Sequence, residues 1–214
     1  LAETDIALLS ATVQNRIGEL YHQSAENLLA KEAFRRTLTK GVAEEVFSAR
    51  LALAQIYAEE ENFDKSLSIY REVSGGPNEL AQHVYVAGEG LIRKSLEKGH
   101  WELRVGEVKL AVKTFFHLIE TSPQTVKAHR GYLQALALLG KSAQAVKFYQ
   151  DRLKLGQNSA VDHYALGLTL TYLNPPALNE AEEEIAKALS KDSQEVFYHQ
   201  TLGWIYEQKE RIKS

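Results

Sequence analysis

The sequence predicts an all-α fold built from repeated helical hairpins, and three observations carry that expectation. First, the string His163-Tyr164-Ala165-Leu166-Gly167 returns 36 residues later as His199-Gln200-Thr201-Leu202-Gly203. The turn Asn174-Pro175-Pro176 and a second apolar helix from Ala181 to Leu189 lie between the two copies. Second, a small-residue slot recurs on Gly18, Ala54, Gly88, Leu133, Gly167 and Gly203, at gaps of 36, 34, 45, 34 and 36. Third, a column for the partner helix tracks it: Ala30, Ser66, Ala111, Ala145 and Ala181. Helix, turn, helix, then the first helix again marks a stacked array of hairpins.

Each column has a packing reason. Two helices of one hairpin must approach closely, so a small residue sits where they cross. One turn further along the second helix a large residue fills the gap: Phe34, Tyr70, Phe115, Tyr149 and Ile185. Three residues after the first slot come Tyr21, Tyr57, Leu91, Leu136, Leu170 and Tyr206. Each hairpin then leaves an apolar face that only the next one can cover.

These residues resemble the tetratricopeptide repeat pattern W-x2-L-G-x2-Y, A-x3-F, P. Ile17-Gly18 with Tyr21, Ala30 and Phe34 fits it, as do Leu53-Ala54 with Tyr57 and Leu202-Gly203 with Tyr206. Pro123 stands at the closing proline. Leu133 departs from the small slot, and the tryptophan slot holds Gln14, Arg50, Val84, His129, His163 and His199. The resemblance implies a right-handed α-α superhelix of about five and a half hairpins. After a lead-in, 1–10, the repeats are expected at 11–46, 47–80, 81–125, 126–159, 160–195 and 196–214, the last incomplete. Turn chemistry marks the joints at Ser74-Gly75-Gly76-Pro77, Thr121-Ser122-Pro123 and Gly156-Gln157-Asn158-Ser159. The third repeat carries about 11 extra residues around Lys98-Gly99-His100-Trp101. They read either as two lengthened helices or as a projecting hairpin that presents Trp101. At the other end, Leu202, Ile205 and Ile212 lack a second helix to cover them, so the chain is expected to continue or to pair with another copy.

Composition narrows the function classes. Of 214 residues 44% are hydrophobic and 25% charged, which suits a folded chain with a sizeable core. The net charge of −3 gives no electrostatic case for nucleic acid, and no apolar run approaches a membrane span. No secretory signal is visible at the start, so the compartment is left open. Cysteine is absent, which removes disulfides and thiolate chemistry. Methionine is absent too, so a fragment or a processed product is expected.

Motifs for chemistry are weak. Gly140-Lys141-Ser142 resembles the end of a phosphate-binding loop, but Ala135 occupies the upstream glycine position and the segment reads as a helix-helix turn. His129, His163 and His199 share one slot, yet successive hairpins stack roughly 10 Å apart while zinc ligands lie about 2 Å from the metal. Glu182-Glu183-Glu184 reads as a solvated helix start. No enzyme activity, metal or cofactor is expected.

In arrays of the resembled kind the first helices line a concave groove for a peptide. Periodicity nominates Asn15, Glu19 and His22 for it, then Leu51, Gln55 and Glu59, with Glu89 and Gln200 further along. The site residues expected to matter most are Tyr85, Arg93, Lys127, Arg130, Gln134, Tyr164, Leu168, Tyr172 and Trp204, because aromatic and arginine side chains dominate binding hot spots. Family members that clamp chaperone tails carry a lysine and an asparagine one turn apart in the first repeat. Asn15 and Glu19 occupy those positions here, so such tails are not the expected ligand. The expected function is a protein-protein interaction scaffold that binds a partner's peptide segment. The alternatives are a regulatory domain of a larger enzyme and a homo-oligomeric structural element joined through the C-terminal helix.

Overall fold

A computed structural model describes residues 9–75 and 81–213. Most of the expected lead-in, and Gly76 and Pro77 of one expected turn, lie outside the described residues. The described residues form eleven helices and no strand. They are α1 (Ala11–Gln23), α2 (Asn27–Lys40), α3 (Ala43–Glu59), α4 (Phe63–Ser74), α5 (Ala81–Arg104) and α6 (Val108–Thr121). There follow α7 (Val126–Leu138), α8 (Ser142–Lys154), α9 (Ala160–Thr171), α10 (Leu178–Lys191) and α11 (Val196–Lys213). The all-α hairpin architecture is thus as expected. The chain divides into two compact units, residues 1–95 and 96–214, and the division falls inside α5.

In the first unit, α1 pairs with α2 and α3 with α4. Gly18 sets the first crossing, where a Cβ would fall 2.7 Å from the Phe34 ring. Ala54 and Ser66 meet in the second hairpin, and the Ser66 hydroxyl donates to the Ala54 carbonyl at 2.7 Å. Ala30, Phe34, Ala49, Leu53, Ile56 and Tyr57 form one core cluster, and Ala54, Tyr70, Val73 and Ala87 another.

In the second unit, α9 pairs with α10 and touches α7, α8 and α11. It is buried on every side from Val161 to Thr171, as a helix surrounded by helices must be. Ser159 caps its start, accepting from the Asp162 amide at 3.1 Å. The partner-helix column is buried throughout both units: Ala30, Ser66, Ala111, Ala145 and Ala181, with Phe34, Tyr70, Phe115, Tyr149 and Ile185 beside them.

The third hairpin departs from the expected register. Helix α5 runs unbroken through Lys98-Gly99-His100-Trp101, so no hairpin projects there. A Cβ on Gly88 would meet nothing within 4 Å, whereas one on Gly99 would lie 2.6 Å from the Phe115 ring. Gly99 is therefore the crossing residue, and the neighbouring slots move with it to Ser95 and Glu102, in place of Val84 and Leu91. The cause is helical arithmetic. Eleven residues make about three turns and overshoot by only about 20°. Gly88 and Gly99 thus sit on one stripe of the same helix, and periodicity cannot choose between them. At the far end, Ile205 is fully buried, contrary to the expectation that it would be uncovered. Leu202 is half-buried, Ile212 is exposed, and a Cβ on Gly203 would meet nothing within 4 Å.

Candidate functional site

The nine nominated site residues are distributed over both units. Tyr85 and Arg93 belong to the first and are exposed on α5. The other seven belong to the second, on α7, α9 and α11 or at their ends. Four of them, Arg130, Leu168, Tyr172 and Trp204, line a single cavity of about 370 Å³ together with Thr171, Gln200 and Thr201. Lys127 and Gln134 are exposed on α7, roughly one turn before and after Arg130.

Arg130 is held in place from two directions. Its guanidinium carbon lies 4.1 Å from the centre of the Phe197 ring on α11. Its Nη1 donates to the Tyr164 hydroxyl at 3.3 Å. Among the described residues it forms no ion pair with a carboxylate. A guanidinium carries five N–H donors, so this one keeps most of its hydrogen-bonding capacity for something else.

Tyr164 corrects the expectation. It is fully buried and offers no ring surface to a ligand. Its ring packs on Tyr198 at 4.6 Å, and its hydroxyl also accepts a 3.5 Å hydrogen bond from Thr201. Burial raises the Tyr164 pKa, opposed by Thr201 and Arg130, so the hydroxyl stays protonated and positions Arg130. Tyr172 and Trp204 are different: they are 40% and 42% exposed and form the open aromatic rim. Burial also raises the Tyr172 pKa, with Arg130 opposing it.

Thr171, Thr201 and Phe197 were not anticipated. Phe197 lies seven residues before Trp204 on α11, two helical turns along the same face, and that spacing was the available signal. The threonines carried none.

The three slot histidines each bond locally. His129 Nδ1 meets the Tyr149 hydroxyl at 2.8 Å and its Nε2 the Pro123 carbonyl at 2.9 Å. His163 sits between Glu184 at 2.7 Å and Asn158 at 2.6 Å. His199 Nε2 bonds the Ser193 carbonyl at 2.8 Å. In the first unit, Glu59 bonds His22 at 2.8 Å and accepts from Gln55 at 2.7 Å, so these nominated residues satisfy one another. No described helix is long and apolar enough to cross a membrane.

No known family's sequence pattern matches the chain, and no curated protein does. Solved structures similar to it include residues 41 to the end of MamA from Desulfovibrio magneticus RS-1. That structure is 19% identical at a TM-score of 0.40, over 77% of this chain and 85% of that one. A thermophilic tetratricopeptide protein of Thermus thermophilus, TTC0263, is 18% identical at a TM-score of 0.42, over 92% and 99%. YrrB, described as a tetratricopeptide protein with an unusual peptide-binding site, is 15% identical at 0.41, over 89% and 91%. The solved structures that resemble this chain are nearly all tetratricopeptide-repeat proteins, the fold type its repeat columns imply.

Proposed function

We propose that this chain is a non-catalytic protein-protein interaction scaffold, and that a partner segment seats in the cavity between α7, α9 and α11. The observation that carries the reading is Arg130, anchored yet without a carboxylate, at the wall of a cavity rimmed by half-exposed Tyr172 and Trp204. An apolar side chain fills such an aromatic cleft, and an adjacent acidic group completes the guanidinium. The cavity has room for one or two side chains. Little ordering is needed on binding, because Phe197 and Tyr164 already fix the arginine.

Selection of displayed peptides against the chain tests this. Enriched sequences should place an acidic residue beside an aromatic or aliphatic one. Trp204→Ala and Arg130→Gln should each weaken the selected peptide by about 2 kcal/mol, roughly thirtyfold, with unchanged circular dichroism. Peptides that bind wild type and both variants equally would remove this cavity as the site.

A further inference from the structure

A second cluster lies within the first unit. Tyr57 on α3 is nearly buried, and cations surround it. Arg35 of α2 donates from Nη2 to the Tyr57 hydroxyl at 3.0 Å. The Nζ of Lys65 on α4 lies 4.3 Å from the ring centre. The Nζ of Lys31 is 5.5 Å from that centre. Lys31 is neutralised, since it bonds both oxygens of Glu60 at 2.6 and 2.8 Å. Neither Arg35 nor Lys65 pairs with a carboxylate among the described residues.

The arrangement is electrostatically unfinished. Two like charges are brought to one tyrosine, Arg35 at its hydroxyl and Lys65 over its ring, in a chain whose net charge is −3. The Tyr57 oxygen accepts from Arg35, so its phenolic proton remains to be donated, and it has no acceptor among the described residues. Burial raises the Tyr57 pKa, but the two cations outweigh it and the net direction is downward. The first hairpin has a tyrosine in the equivalent slot, Tyr21, and no cation is found over its ring among the described residues.

We propose that Arg35, Lys65 and the Tyr57 hydroxyl form a binding site for a phosphate group. Two cations balance a phosphate dianion, and three donors of different kinds reach separate oxygens of a tetrahedral oxyanion. Arg35 and Lys65 are exposed, so the group can arrive from solvent. It can come as inorganic phosphate or as a phosphorylated side chain of a partner protein.

Titration of the full chain with inorganic phosphate, followed by aromatic nuclear magnetic resonance, tests the proposal. The Tyr57 ring signals, assigned through Tyr57→Phe, should shift saturably, and sodium chloride at equal ionic strength should not reproduce the shift. The double variant Arg35→Gln/Lys65→Gln, checked for unchanged circular dichroism, should bind at least tenfold more weakly, while Arg35→Lys retains most of the affinity. A phosphoserine peptide that binds at least tenfold tighter than inorganic phosphate would identify a partner's side chain as the source. Equal affinity would identify the free anion. A chloride response matching phosphate, or a double variant within twofold of wild type, would overturn the site.

Discussion

Two glycines two residues apart on α5 have opposite packing. A Cβ on Gly90 would fall 2.4 Å from the Tyr70 ring, while one on Gly88 would meet nothing within 4 Å. Gly88→Ala should therefore stabilise the chain by roughly 0.5–1 kcal/mol through helix propensity alone. Gly90→Ala should destabilise it by about 1 kcal/mol or more, because the Tyr70 ring must be displaced from a packed core. Urea denaturation midpoints for the two variants should bracket that of wild type. Two midpoints moving the same way would contradict the packing. At this scale the sequence was most legible where a residue type answers one steric demand. The partner-helix alanines and their large neighbours were all buried as expected. It was least legible in α9, where Tyr164 and Leu168 share a helix enclosed on all sides, so no period distinguishes an inward face from an outward one.

Among the helices, the turns inside the first four hairpins repeat one hydrogen-bond pattern. The amides of Glu26, Asn62, Glu107 and Lys141 each bond a carbonyl five residues back, all at 2.8 Å. The residue just before each of these amides has positive φ: Ala25 at 61°, Glu61 at 58°, Gly106 at 84° and Gly140 at 68°. Only two of the four are glycine, so Ala25 sits in a conformation that costs an L-residue about 1 kcal/mol. Ala25→Gly should recover a few tenths to about 1 kcal/mol, and Gly140→Ala should lose a comparable amount. Thermal unfolding of the two variants reads both signs. These turns lie seven residues after Gly18, Ala54, Gly99 and Leu133. The position of Gly106 therefore marks Gly99, not Gly88, as the crossing residue. A turn fixes its place to the residue, whereas a helical stripe repeats every 11 and leaves the two glycines equivalent.

For the chain as a whole, acid should be the weak direction. Burial pushes the His129 pKa down to about 4, with the Pro123 bond only partly opposing it, so the folded chain keeps this histidine neutral. The unfolded chain protonates it from about pH 6.5 downward, so stability falls as pH drops from there to about 4, by on the order of 3 kcal/mol from this group. At Glu59 and Glu184 burial raises the pKa, but hydrogen bonds outweigh it and leave both carboxyls below their ordinary range. Their contribution is present above that range and is also lost on acidification. The urea midpoint should fall steadily between about pH 7 and about pH 4. A flat profile would mean that His129 is not held neutral. The candidate cavity was half legible at this scale. The aromatic and arginine positions followed from helix faces, but their convergence on one cavity depends on how α7, α9 and α11 pack, which no single helix encodes. The uninterrupted α5 has a consequence of its own. A helix returns nearly to its starting orientation after 11 residues, so this hairpin gained length without turning its buried stripe toward water. Insertions or deletions of that size are quiet edits to such a chain. One of five or nine residues would rotate everything beyond it by more than a quarter turn, about 140° or 180°.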